Sequence, residues 1–213
     1  MKYTHVIWDF NGTILDDVEC GVESVNTLLS QRGLKELEGV DAYRKVFGFP
    51  VIDYYKRLGF DFDKEPYSVI ALLWVDLYLE NVKKAGLFND VKETIDAFRN
   101  MGISQTVLSA TELNMLMGQL EYLKIADCFD EILGLDNIHA ESKVALGKAW
   151  QERNKGAVTI LIGDTVHDAE TAEQIGADCI LVARGHQSFE TLKERTPYVV
   201  KDIHEALELM ERL

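Results

Sequence analysis

Cysteine is scarce in this chain of 213 residues. Cys20, Cys128 and Cys179 are odd in number, lie far apart and form no Cys-x-x-Cys pair. A disulfide framework needs paired cysteines, and a thiolate metal site needs several at short spacings. The sequence therefore argues against both, and we expect three reduced thiols in a reducing compartment.

Basic residues are also in short supply, because 22 lysines and arginines stand against 36 aspartates and glutamates, giving a formal net charge of -14. Phosphate backbones and anionic membranes attract an excess of positive charge, so nucleic acid and membrane surfaces are disfavoured as partners. The sequence also lacks an apolar run of bilayer length and a basic, apolar leader before the first strand. We expect a cytoplasmic protein.

Short apolar runs alternate with segments of helical spacing, and internal repeats are absent. Such alternation is typical of an α/β fold, in which a doubly wound parallel sheet of Rossmann-like form carries helices on both faces. The predicted strands are His5 to Phe10, Ser104 to Leu108, Glu131 to Leu135, Val158 to Ile162 and Cys179 to Val182.

No run of this kind lies between Asp16 and Leu87, where helical spacing continues with breaks at glycine and proline. We therefore predict an α/β core of residues 1–15 and 88–213 and an inserted all-helical cap of residues 16–87. Its aromatic side chains are expected to form a small apolar core rather than a substrate-stacking surface. The predicted helices are Val22 to Gln31, Asp41 to Val46, Val51 to Leu58 and Tyr67 to Lys84, and the aromatic residues are Phe47, Phe49, Trp74 and Tyr78.

Polar side chains follow several predicted strands, at the sheet edge where open α/β proteins bind ligands. Asp9 and Asn11 follow the first strand, Ser109 follows the second, and Lys143 lies after the third. The fourth strand leads into the segment from Gly163 to Asp168. A carboxylate nucleophile, a hydroxyl, a lysine and an acidic pair suit phosphoryl transfer, in which positioning and charge neutralisation provide most of the catalysis.

Four motifs in this order resemble the haloacid dehalogenase-like hydrolase superfamily, and within it the phosphoglycolate-phosphatase-like members that carry a helical cap. The first is Asp9-Phe10-Asn11-Gly12-Thr13, and the second is Val107-Leu108-Ser109. Lys143 is the third, and Gly163-Asp164-Thr165-Val166-His167-Asp168 is the fourth. The resemblance covers essentially the whole chain.

The resemblance implies that Asp9 attacks phosphorus to form an aspartyl phosphate, which water then cleaves. It implies a Mg²⁺ ion bound by Asp9, Asp164 and the main-chain carbonyl of Asn11, with Asp168 as a ligand or a supporting partner. The implied catalytic residues are Asp9, Asn11, Ser109 and Lys143, and the implied phosphate-binding residues are Gly12, Thr13, Ser109, Ala110 and Lys143. The implied partner is a small phosphorylated metabolite such as phosphoglycolate or a sugar phosphate, and the oligomeric state is not readable.

Three residues depart from the family pattern. Ala110 stands where an asparagine is frequent, and Val144 stands where a proline usually follows the lysine. Asn11 replaces the aspartate that would exchange a proton with the leaving group and the hydrolytic water, assistance worth about 10²–10⁴-fold in rate. The enzyme is then slow, or acts on leaving groups that need no proton, or uses another side chain such as His167 or His186.

Three other functions are compatible with the sequence. A phosphatase fold that lacks the second aspartate could be a binding protein for a phosphorylated ligand. It could also resemble the phosphonatases, in which a cap lysine forms a Schiff base, here Lys45 or Lys56. A haloalkanoate dehalogenase would call for an aromatic residue at position 11. Asp16 and Asp17 are interpreted as hinge or helix-capping residues.

Overall fold

The structure, a computed structural model, describes residues 2–136 and 142–213. In chain order its strands are β1 (His5–Trp8), β2 (Leu15–Asp16), β3 (Gly86–Leu87), β4 (Ser104–Glu112), β5 (Glu131–Leu135), β6 (Thr159–Gly163), β7 (Asp178–Val182) and β8 (Val199–Val200). The helices are α1 (Val18–Gln31), α2 (Val40–Val46), α3 (Val51–Arg57), α4 (Tyr67–Asn81), α5 (Val91–Asn100), α6 (Leu113–Tyr122), α7 (Lys143–Arg153), α8 (Val166–Ile175), α9 (Phe189–Arg195) and α10 (Ile203–Met210).

The main sheet is parallel and has the order β5-β4-β1-β6-β7-β8. Its central strand β1 pairs with β4 on one side and with β6 on the other, so that Trp8 lies beside Val107 and Ile162. The chain builds outward from β1 through β4 to β5 and then crosses to β6. The order of strands thus reverses between β1 and β6, and open α/β sheets bind ligands at that point.

Helices cover both faces of this sheet, which explains why β1 is apolar and buried from Val6 to Trp8. Val6 and Trp8 pack with residues of α5, α6 and α10 on one face. Ile7 packs on the other face with Trp150 of α7 and Ile175 of α8. The predicted doubly wound α/β core is therefore confirmed.

Helices α1 to α4 form the predicted helical insertion and enclose an apolar cluster of their own, which includes Leu28, Tyr55 and Ile70. A two-stranded antiparallel ribbon stands where the chain leaves the core and returns, with Leu15 opposite Leu87. The ribbon and β8 were missed by the sequence analysis because strands of two residues have no periodicity to detect. The domain boundaries at residues 15/16 and 87/88 stay a prediction.

Among residues 2–136 and 142–213, every helix is too short or too polar to cross a membrane. Cys20, Cys128 and Cys179 are free thiols.

Candidate active site

Two carboxylates stand at the point where the strand order reverses. Asp9 follows β1 and its main-chain N–H donates to the carbonyl of Ile162 at 2.9 Å, while Asp164 directly follows β6. Asp168 lies in the first turn of α8, close to both. The three side chains are buried, and each offers an oxygen within 4.8 Å of the others. The predicted acidic residues are therefore brought together.

Lys143, at the start of α7, joins two of these carboxylates. Its ammonium group donates to Asp9 Oδ1 and, at 2.5 Å, to Asp168 Oδ1. The other oxygen of Asp168 accepts the N–H of Thr165 at 2.9 Å and its hydroxyl at 2.7 Å, which closes a capping box at α8. Asp168 is thus a buried helix-capping residue that also fixes the position of Lys143.

Burial and neighbouring charges move the pKa values of this cluster in opposite directions. Burial raises the pKa of Asp9 to about 6 although Lys143 opposes the shift, and burial raises the pKa of Asp164 well above its ordinary value. For Asp168, burial is outweighed by the charge and hydrogen bonds of Lys143, so its pKa is lowered. Burial would lower the pKa of Lys143, but Asp168 and Asp9 raise it instead. Lys143 is a permanent cation.

When all three carboxyl groups are ionised, the single ammonium group of Lys143 leaves two negative charges in a buried space. Such a charge is stable only when a counterion or further hydrogen bonds offset it. The donors are all carboxylate oxygens, the ligand type that hard divalent cations such as Mg²⁺ and Ca²⁺ prefer. The cluster of Asp9, Asp164 and Asp168 therefore fits a divalent cation by both charge and chemistry.

Two glycines allow the backbone to come close to Asp164. A Cβ atom at Gly12, whose φ is 72°, would lie 2.4 Å from Asp164 Oδ2, and a Cβ atom at Gly185 would lie 2.0 Å from the same oxygen. Any larger residue would push the carboxylate away from its neighbours. Gly12 therefore allows close packing against Asp164 in addition to forming a turn with Asn11.

Asn11 lies beside the cluster with its whole amide engaged. Its Nδ2 donates to Asp17 Oδ2 at 3.0 Å and to the hydroxyl of Tyr78 at 2.7 Å. Its Oδ1 accepts from the hydroxyl of Thr111 at 2.8 Å. The Tyr78 hydroxyl in turn donates to Asp17. Because two acceptors and a donor surround it, the side chain at position 11 is matched to an amide rather than a carboxylate.

Replacing Asn11 with aspartate is expected to lower the free energy of unfolding by about 3 kcal/mol, because two donor hydrogens are lost and a partly buried carboxylate then faces the buried carboxylate of Asp17. Urea denaturation measures the change. The double variant Asn11→Asp/Asp17→Asn restores a carboxylate opposite an amide and should recover part of the loss. Asn100→Asp, at an exposed position, is the control. An Asn11→Asp protein as stable as the wild type would contradict this account of the amide.

Asp17 stands directly before α1, where the chain leaves the ribbon, as a hinge or helix-capping residue would, but its side chain has a different role. Its side chain makes no capping bond to α1 and is 1% exposed. Instead, Asp17 Oδ1 accepts the N–H of Gly12 at 2.8 Å and lies 3.3 Å from Nε2 of His186. The ribbon of β2 and β3 turns Asp17 inward, and no local sequence signal distinguishes it from the exposed Asp16.

His186 forms a buried ion pair with Asp17. Burial would lower its pKa, but the carboxylates of Asp17, Asp164 and Asp9 outweigh burial and raise the pKa to about 9. For Asp17, burial is outweighed by His186 and by hydrogen bonds from Tyr78 and Asn11, which lower its pKa. Nδ1 of His186 lies 2.9 Å from the hydroxyl of Tyr43. Both ring nitrogens are therefore engaged within the protein.

The residues predicted to bind phosphate fall into two groups. Lys143, Ser109 and Ala110 line a cavity of about 350 Å³ together with Asp9, and Ser109 Oγ donates to the Thr111 hydroxyl at 3.1 Å. Thr13 is fully buried and donates to Asp9 Oδ2 at 3.1 Å, while the N–H of Gly12 is taken by Asp17. Phosphate contacts of Gly12 and Thr13 stay predictions.

The alternative lysines are far less well placed. Lys45 and Lys56 are exposed, Lys56 pairs with Asp53 at 3.1 Å, and neither lines the cavity above Asp9. His167 does line it, with its ring 4.9 Å from that of Phe49. The geometry gives no support to a Schiff-base lysine.

Comparisons with known proteins agree with this geometry. Residues 6–182 match the family described as haloacid dehalogenase-like hydrolase. The chain is similar to the pyrophosphatase candidate PpaX of Caldanaerobacter subterraneus subsp. tengcongensis, at 24% identity over 99% of this chain and 96% of the relative. It is also similar to a phosphoglycolate phosphatase of Pseudomonas savastanoi pv. phaseolicola, at 20% identity over 92% of this chain and 75% of the relative.

Among solved structures, the fold is shared with a haloacid dehalogenase-like hydrolase of Streptococcus pneumoniae. The TM-score is 0.82 at 18% identity, over 98% of this chain and 99% of the other. The family match extends from β1 to the end of β7 and includes the carboxylates after β1 and β6. This protein therefore belongs to the haloacid dehalogenase-like hydrolases.

Proposed function

We propose that the protein is a Mg²⁺-dependent phosphatase of small phosphorylated metabolites and that Asp9 is its nucleophile. The observation that carries this proposal is the position of the Asp9 carboxylate, which Lys143 holds at the floor of the cavity beside two further buried carboxylates. The relatives named as phosphatases support the same class of reaction. The cytoplasmic location stays part of the proposal.

In this proposal Asp9, Asp164 and the main-chain carbonyl of Asn11 hold the cation. Asp168 supports them by fixing Lys143 and by capping α8 through its second oxygen. When bound, Mg²⁺ would offset the charge between the nucleophile and a phosphate dianion. The side chain of Asn11 takes no part in this binding, so its replacement of aspartate leaves the metal site intact.

The reaction has two steps. One oxygen of Asp9 attacks phosphorus, an O–P bond forms, and the bond from phosphorus to the leaving oxygen breaks. Water then attacks the same phosphorus, the bond to Asp9 breaks, and inorganic phosphate leaves. Lys143 and Ser109 bind the phosphoryl oxygens in both steps, and Lys143 also keeps Asp9 oriented.

Asn11 cannot supply a proton to the leaving oxygen. Among the neighbouring groups, His186 donates toward Asp17 and Tyr43, and the Tyr78 hydroxyl donates to Asp17. Each is already committed within the protein, and His167, which also lines the cavity, has its ring against Phe49 and its Nδ1 3.5 Å from Glu170 Oε2. In this proposal none of the three replaces the missing acid. The rate of the first step therefore depends on how readily the leaving group departs as an anion, whereas the hydrolysis of the phosphoenzyme is the same for every substrate.

Removal of divalent cations with EDTA is expected to abolish hydrolysis, and added Mg²⁺ should restore it. Mg²⁺ at about 100 times its dissociation constant should also stabilise the protein by about 2.7 kcal/mol, which thermal unfolding detects without any substrate. Asp164→Asn should raise the Mg²⁺ concentration needed in both assays by about 100-fold or more. The exposed Asp63→Asn is the control. Equal activity and stability with EDTA and with Mg²⁺ would exclude the metal site.

A further inference from the structure

We infer that the preferred substrate is a small aryl phosphate, meaning a phosphate ester of an aromatic hydroxyl group. This inference rests on the proposed phosphatase activity and narrows it. Two independent features of the cavity carry it, namely the apolar aromatic wall contributed by the cap and the amide of Asn11, which cannot give a proton to the leaving oxygen.

The wall opposite the carboxylate cluster is largely aromatic. Phe47 and Phe49 follow α2, with ring centroids 5.7 Å apart, and Phe49 also lies 4.9 Å from the ring of His167. On α4 the rings of Trp74 and Tyr78 stack at 4.9 Å, and Met115 of α6 completes this side. A flat ring is well matched to such a surface, because aromatic pairs gain from stacked and edge-on contacts.

The expectation that these aromatic residues serve only as cap core is corrected by their position. Phe47 and Trp74 do pack against the cap cluster, but both are partly buried and also line the cavity. Phe49 is 42% exposed and lies outside that cluster. A large apolar side chain kept partly exposed at the mouth of a reactive site points to contact with a ligand.

The same wall offers no free cation for a second anionic group. Among the described residues that line the cavity, Lys143 is already held by Asp9 and Asp168, and His186 is already paired with Asp17. Arg44 and Arg57 instead donate to main-chain carbonyl oxygens. Glu112 adds a negative charge to the wall. A substrate carboxylate or second phosphate would therefore meet apolar rings and an anion.

The amide at position 11 independently favours the same class of substrate. An aryl hydroxyl such as that of tyrosine has a pKa of about 10, whereas water and simple alcohols lie near 15.7. The aryl oxygen can therefore leave as an anion while the bond from Asp9 to phosphorus forms, and it takes its proton from water afterwards. An alkyl alcohol needs the proton during bond breaking, which Asn11 cannot give.

Four substrates separate the two features. Phenyl phosphate has the ring and the weakly basic leaving oxygen, benzyl phosphate has only the ring, acetyl phosphate has only the weakly basic oxygen, and phosphoglycolate has neither. We expect kcat/KM, which reports the first step, to be higher for phenyl phosphate than for benzyl phosphate by about 10²-fold or more. KM should be lower for both ring compounds than for acetyl phosphate and phosphoglycolate.

Cap variants test the aromatic wall directly. Phe49→Ala and Trp74→Ala are expected to raise KM for phenyl and benzyl phosphate by about 5- to 10-fold and to change KM for acetyl phosphate far less. Phe189→Ala, which removes an equally exposed ring on α9, is the matched control. Asn11→Asp should raise kcat/KM for benzyl phosphate more than kcat/KM for phenyl phosphate.

The outcomes distinguish this inference from the proposed function. If phosphoglycolate is hydrolysed with a kcat/KM equal to or above that of phenyl phosphate, the aryl preference is wrong and the phosphatase assignment stands. Equal loss of acetyl and phenyl phosphate turnover in the Trp74 variant would also overturn the inference, because it indicates general damage to the cap. If none of the four is hydrolysed and no phosphoenzyme forms, the proposed function itself fails.

Discussion

Asp9→Asn is expected to lower kcat by about 10⁴-fold or more while the protein stays folded. The amide keeps the shape of the carboxylate, its oxygen still accepts from Lys143, and its NH₂ group can donate to the Thr13 hydroxyl, but it cannot attack phosphorus. Removing one of three crowded carboxylates also relieves repulsion, and Lys143 keeps its bond to Asp168. The loss of turnover in this variant therefore reflects the chemical step rather than unfolding.

Acid quenching with a substrate labelled in its phosphoryl group checks this expectation. The wild type should incorporate label into the protein, and Asp9→Asn should incorporate none. Asp76→Asn, an exposed carboxylate on α4, should behave as the wild type. Labelling that survives in Asp9→Asn would show that the nucleophile lies elsewhere. A wild type that binds phosphorylated ligands without labelling or turnover would be a binding protein.

Lys143→Met is expected to lower the free energy of unfolding by about 3–5 kcal/mol in the absence of metal. Lys143 is 3% exposed, and its ammonium group donates to Asp9 and Asp168. Without it, three buried carboxylates face each other with no fixed cation. Turnover should fall as well, by about 10²–10³-fold, because a phosphoryl-oxygen donor is lost.

Denaturation with and without Mg²⁺ separates these effects. Added Mg²⁺ should return part of the lost stability to Lys143→Met, since the oxygen ligands remain, but it should not restore turnover. Lys148→Met removes an exposed lysine from the same helix, where it bonds only to Gln174 at 2.9 Å, and should change stability by less than about 0.5 kcal/mol. Similar losses for the two lysine variants would contradict the bridging role of Lys143.

Sequence patterns predicted the core well for a physical reason. Strands buried on both faces are apolar throughout, as in Val6 to Trp8 and Ile160 to Ile162, so their positions and ends are visible without any tertiary information. Because ligands gather at the carboxyl ends of parallel strands, Asp9, Ser109 and Asp164 could be assigned to one edge. The two-residue strands β2, β3 and β8 were beyond this reasoning, since they exist only through their partners.

The role of Asn11 shows what periodicity could not reach. Its amide contacts Asp17, Tyr78 of α4 and Thr111 of β4, which are 6, 67 and 100 residues away along the chain. Nothing in the sequence around these partners distinguishes them from ordinary surface or core residues.

By itself, then, the sequence determined the α/β core with its helical insertion and the order of the reactive side chains, because these follow from apolar periodicity and strand ends. The tertiary structure decided which side chains form hydrogen bonds and ion pairs with one another. It turned Asp17 inward toward His186, held Lys143 between two carboxylates, and set the aromatic side chains of the cap over the nucleophile. These are contacts between distant segments, and only the packing of the cap on the core creates them.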